Sequence, residues 1–88
     1  MRVVIIWREG EDYSRTVSDW LRDFERRTGK QLESYSPDDG GGLSLCRAYD
    51  IVEYPTMMAL GDDGSLLQMW RGASMPRIDE VVYYLLNN

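Results

Sequence analysis

The sequence contains no histidine, a single cysteine at Cys46, one phenylalanine at Phe24 and only three prolines in 88 residues. The first two shortages remove much chemistry. A Ser-His-Asp triad, an all-protein zinc site and an intramolecular disulfide have no residues to build them, so neither a metal nor a cofactor is expected. No stretch approaches the roughly 18 consecutive apolar residues that a membrane-spanning helix requires. Met1 to Trp7 is basic and then apolar, yet it is too short for a secretory leader, and charged residues (Arg8, Glu9, Glu11) follow where small ones would mark a cleavage site. A cytoplasmic chain without a membrane partner is the expectation. Basic residues are also outnumbered: ten Lys and Arg stand against fifteen Asp and Glu, for a net charge of −5. A phosphate backbone repels such a chain unless its bases cluster, so no nucleic-acid partner is expected.

What is present describes one ordinary globular domain over residues 1–88, with 43% hydrophobic and 28% charged residues and no internal repeat or linker. A domain this small buries little more than about 60% of its unfolded surface, so modest stability is expected. Residues 2–7 form a continuous β-branched run, the pattern of a strand covered on both faces. A polar turn from Arg8 to Asp12 follows, with Asp12 and Ser14 as candidate helix caps. Val17, Trp20, Leu21 and Phe24 then recur at helical spacing, which predicts a helix to about Thr28 with Gly29 as its stop. The charges between them read as a solvated face with pairs such as Asp23 and Arg27.

Lys30 to Tyr35 reads as a short strand. Ser36 to Gly42, with its glycine run, reads as a surface loop. Leu43 to Tyr49 reads as a short helix that brings Leu45, Cys46 and Tyr49 near the core. Pro55 opens a second apolar strand, Thr56 to Leu60, and the turn at residues 61–64 returns the chain as Ser65 to Trp70. Trp70 is then either exposed on an edge strand, where the segment 65–70 invites a homodimer, or buried under the last helix. Gly72 breaks the strand. Ser74 and Pro76 occupy cap and first-turn positions for a helix carrying Ile78, Val81, Val82, Leu85 and Leu86. Met57 and Met58 alternate, so one faces each side of the sheet.

The resulting order, β-α-β-α-β-β-α, predicts an α/β domain with a four-stranded mixed sheet and helices on both faces. That order and several residues resemble the thioredoxin and protein disulfide isomerase domain family. The segment Leu45–Thr56, ending in Tyr54-Pro55-Thr56, is similar to the family's segment around its cis-proline. Asp63-Gly64 resembles the family's hairpin, and Gly72-Ala73 the Gly-Ala that follows it. The resemblance covers nearly the whole chain and implies a cis peptide at Tyr54–Pro55. It also implies that the Tyr54 backbone pairs with an extended bound peptide.

The departure is at the family's Cys-X-X-Cys. Setting Trp7 on the family's strand-ending tryptophan places Glu11-Asp12-Tyr13-Ser14 on that motif and Ile5 on the family's buried acid. No cysteine lies nearby, and thiol–disulfide exchange needs a thiolate. The resemblance therefore implies a redox-inactive, non-enzymatic domain that binds a protein or peptide, with Trp7, Glu11, Tyr13, Tyr54, Pro55, Thr56, Gly72 and Ala73 as candidate groove residues. Trp7 and the loop Gly10–Tyr13 would form the wall opposite Tyr54. Two other readings stand beside it. Cys46 acts alone as a redox thiol or links a covalent dimer, against a buried and inert Cys46. A glutathione-transferase-like protein would use Tyr13 or Ser14, although Leu67-Gln68-Met69-Trp70 lacks the acidic residue and serine that such a site needs.

Overall fold

The computed structural model describes residues 1–86; Asn87 and Asn88, the end of the expected 1–88 domain, lie outside the described residues. The elements are β1 (Arg2–Ile6), α1 (Ser14–Thr28), β2 (Glu33–Tyr35), α2 (Gly40–Tyr49), β3 (Thr56–Leu60), β4 (Leu66–Arg71) and α3 (Ile78–Tyr83). They occur in the expected order. The sheet runs β2-β1-β3-β4, with β1 parallel to β2 and the other pairs antiparallel.

Alternation along the central strands divides the core in two. Val3, Ile5, Met57 and Ala59 pack with Val17 and Phe24 of α1 and Val81 of α3. Val4, Ile6, Met58 and Leu60 turn to the other face, where they meet Cys46 and Ile51 beside α2. Met57 and Met58 are thus split between the faces. Full burial of a side chain such as Phe24 or Ile5 contributes about 1.5–3 kcal/mol. On α1 the Trp20 and Phe24 rings stack at 5.3 Å, and the Trp20 indole N–H donates to the Pro76 carbonyl at 2.8 Å, tying α1 to the approach of α3. Gly29, at φ 71°, ends α1 in the left-handed conformation and donates its N–H to the Glu25 carbonyl. The solvated face of α1 carries the expected pair between Asp23 and Arg27.

Three local expectations are corrected. The glycine run is not a loop: α2 begins at Gly40. A Cβ on Gly42 would stand 1.7 Å from the Ser36 carbonyl oxygen, so the missing side chain is what lets the first turn of α2 lie on the preceding segment. Neither Asp12 nor Ser14 caps α1; Tyr13 holds the N-cap position. Ser74 and Pro76 precede the cap of α3 instead of forming it. Arg77 is the N-cap, its backbone N–H reaching the Glu80 carboxylate at 3.4 Å, and the regular helix ends at Tyr83. Beyond it the N–H groups of Leu85 and Leu86 still donate to the Val82 carbonyl. Trp70 is half-buried, between its two expected placements: it packs against the α1–α3 core and meets Tyr84, just past α3, edge-on at 5.6 Å.

Candidate functional site

One end of the sheet gathers four chain segments. Ile6 is level with Tyr35 on one side and Thr56 on the other, and Thr56 is level with Arg71. The loops that leave β1, β2 and β4 and the loop that enters β3 therefore meet there. Space beyond the carboxyl ends of parallel strands is where ligands of open α/β sheets bind. Here Trp7, Arg8, Ser34, Tyr35 and Asp38 line an open cleft of about 420 Å³.

The loop entering β3 is held rigidly. The Tyr54–Pro55 peptide is cis. Thr56, which is buried, donates its hydroxyl to the Glu53 carbonyl at 2.6 Å. The Pro55 carbonyl accepts the Gly72 N–H at 2.8 Å. Gly72 sits at φ 87°, a conformation that favours glycine, and thereby closes the loop after β4 onto Pro55. Tyr54, Pro55, Thr56 and Gly72 are thus brought together. Among the described residues, neither the backbone N–H nor the carbonyl of Tyr54 makes a hydrogen bond, and the neighbouring Val52 side chain is 84% exposed.

The Tyr54 ring lies on the α2 side of the core. Its hydroxyl is 3.9 Å from the Cys46 sulfur, and the Arg8 guanidinium stands over the ring at 5.1 Å. Arg8 also makes two 2.9 Å bonds to the Asp38 carboxylate. Burial, and then the bond to Cys46, push the Tyr54 phenol above its ordinary range, so it stays protonated. The bidentate bond to Arg8 holds the Asp38 carboxyl below the usual carboxylate range. Cys46 itself is a free thiol, 8% exposed.

Other candidate residues are placed elsewhere. Trp7 continues the parity of Val3 and Ile5, so its indole turns to the α1 side and donates to the Ser34 hydroxyl at 2.7 Å. Arg8 has the parity of Val4 and Ile6 and faces Tyr54 instead. The expected wall of Trp7 and Gly10–Tyr13 opposite Tyr54 is therefore replaced by Arg8. Tyr13 accepts the Arg8 N–H at its hydroxyl, at 2.9 Å. Ser14 Oγ accepts the Glu11 N–H at 2.9 Å and donates to the Arg8 carbonyl at 2.8 Å. Glu11 itself is exposed, and Ala73 lines a separate cleft with Thr16, Trp20 and Met75. Arg8 and Asp38 were missed as a pair. Their signal was available: a base just after one strand and an acid just after its parallel neighbour fall at the same end of the sheet.

No protein-family model and no curated protein matches the sequence. Solved structures do match by shape. Thioredoxin 1 of Thermosipho africanus superposes with a TM-score of 0.65 over 97% of this chain and 90% of its own, at 10% identity. Thioredoxin f2 of Chlamydomonas reinhardtii gives 0.62 over 94% of this chain and 73% of its own, at 13% identity. The fold is thioredoxin-like. With only one cysteine in the sequence, no Cys-X-X-Cys exists on it. Where the resemblance sets that motif, this thioredoxin-like domain has a loop clamped by the Tyr13 and Ser14 hydroxyls, and the Ile5 side chain at the family's buried-acid position is fully enclosed. Among the described residues, no cluster of His, Cys, Asp and Glu could hold a metal ion, and no helix is long and apolar enough to cross a membrane.

Proposed function

We propose that this thioredoxin-like domain is redox-inactive and binds an extended segment of a protein partner along Val52–Tyr54. The observation that carries the reading is the free Tyr54 backbone beside the exposed Val52. An extended peptide adds to such a backbone through main-chain hydrogen bonds and fills a neighbouring apolar position with a side chain. Pro55, Thr56 and Gly72 serve as the rigid support, and Arg8 fixes the Tyr54 ring, so the strand-accepting backbone is preorganised. Cys46 contributes packing, because its sulfur is enclosed and bonded within this support.

A photo-crosslinking amino acid placed at Val52, with a second at Arg47 on α2 as control, tests the reading in cells that make the protein. Specific adducts from position 52 and none from position 47 are the expected result. Equal adducts from both positions, or none from position 52, overturn it.

A further inference from the structure

The two edges of the sheet are built differently. β2 has three residues, and Arg2 on the neighbouring strand grips its Glu33 through bonds of 2.8 and 2.7 Å. The Tyr35 hydroxyl donates to the same carboxylate at 2.9 Å. β4 has six residues, LLQMWR, and its side chains are exposed at four of them. Leu66 is 46% and Leu67 43% exposed. Natural sheets blunt their edges with short strands, lysine, proline, inward charges or bulges. β4 has a bulge opposite Leu60 at its hairpin end and one charged residue, Arg71, at its other end, with no lysine or proline between them.

The hydrogen bonds show which backbone groups are free. The Gly72 N–H bonds to the Pro55 carbonyl, which makes Thr56 and Arg71 a pair without mutual bonds. By alternation, Trp70 turns its backbone groups inward to Met57, whereas Met69 and Arg71 turn theirs out of the sheet. The side chain confirms the parity: the Met69 N–H is held by Gln68 Oε1 at 2.9 Å and not by a neighbouring strand.

We propose that the β4 edge pairs antiparallel with β4 of a second copy of this chain, forming a two-fold dimer with a continuous sheet. Symmetry decides what meets. A two-fold axis perpendicular to the sheet keeps each face on its own side, so Met69 and Leu66, level with Met58 and Leu60 of the α2-side core, share that side in both copies, with Leu67 carried at the bulge between them. The exposed leucines thereby lose water. Charge selects a second copy as the occupant. β4 leaves a hairpin carrying Asp63 and Asp62, the latter already paired with the Met1 ammonium, and ends at Arg71; for Asp63 and Arg71 no ion pair is formed among the described residues. Antiparallel pairing sets Arg71 of each copy beside the acidic hairpin of the other. The Gln68 amide must leave the Met69 N–H for a strand to pair there, so Gln68 acts as a brake. A single short edge belongs to the small, weak class of interfaces, and the dimer is concentration-dependent. This surface is separate from Val52–Tyr54, and its failure would leave that reading intact.

Sedimentation velocity from low-micromolar to millimolar protein tests the proposal. The expected result is a reversible shift from monomer to dimer. Leu67→Lys and Arg71→Glu, both at exposed positions, each weaken the dimer by about tenfold while circular dichroism stays that of the wild type. Adding Asp63→Arg to Arg71→Glu restores pairing, and Gln68→Ala tightens it. A chain that remains monomeric at millimolar concentration overturns the proposal, including the case in which the edge serves a different protein. A dimer indifferent to Leu67→Lys and Arg71→Glu overturns it as well.

Discussion

The two faces of the sheet reach closure by different means. The α1–α3 face is filled by side-chain volume: Phe24 stacked on Trp20, Val17, Val81, and Trp70 against Tyr84. The α2 face is closed by backbone proximity, with Gly42 lying on the Ser36 carbonyl and a smaller core of Cys46, Ile51, Met58 and Leu60 beneath. The candidate site belongs to this second face, through Tyr54 and Arg8. A face built from side chains yields gradually to substitution, whereas one built on a backbone contact has no room to yield.

The largest expected effect breaks that contrast directly. Gly42→Val cannot keep α2 on Ser36 and should cost more than about 4 kcal/mol or abolish folding. Urea denaturation followed by circular dichroism measures it, and a near-native midpoint would remove the basis of the comparison. Phe24→Ala on the other face should cost about 3 kcal/mol by opening a cavity while leaving a cooperative transition. Cys46 sharpens the comparison kinetically. Its enclosure under Tyr54 predicts reaction with a thiol reagent at least about a hundredfold slower than free cysteine, because the α2 face must open first. Labelling near the free rate would mean that this face is loose and would also revive a redox role for the thiol.

The smallest effect is that of pH. Glu33, bonded to Arg2, and Asp38, bonded to Arg8, are both held below the usual carboxylate range. The folded state then binds fewer protons than the unfolded chain, so their stabilisation is complete above about pH 5 and fades as acid protonates them. For the exposed Arg2–Glu33 pair the loss stays under about 1 kcal/mol. Glu33→Gln should flatten part of the decline in denaturation midpoint between neutral pH and pH 3. An unchanged acid profile would show that the pair contributes nothing measurable.

Much of the fold was readable because local patterns and global architecture agree. The apolar run of β1, the spacing of Val17 to Phe24 and the turn at Asp63-Gly64 each point to one element. Glycines 40–42 misled because a glycine that permits close approach and a glycine that permits disorder are the same letter. The site was only half legible. Tyr54, Pro55, Thr56 and Gly72 came from a local motif, while the partnership of Arg8 with Asp38 and Tyr54 joins loops 30 and 46 positions away from Arg8 along the chain.

By itself the sequence determined the order of elements and the absence of dithiol chemistry, since periodicity and composition are properties of the chain alone. Tertiary structure decided which side of the sheet each residue serves. It sent Trp7 to one face and Arg8 to the other, laid α2 upon Ser36, and left the Tyr54 backbone and the β4 edge without partners among the described residues. The physical reason is that strand parity and close approach acquire meaning only when distant segments are set side by side.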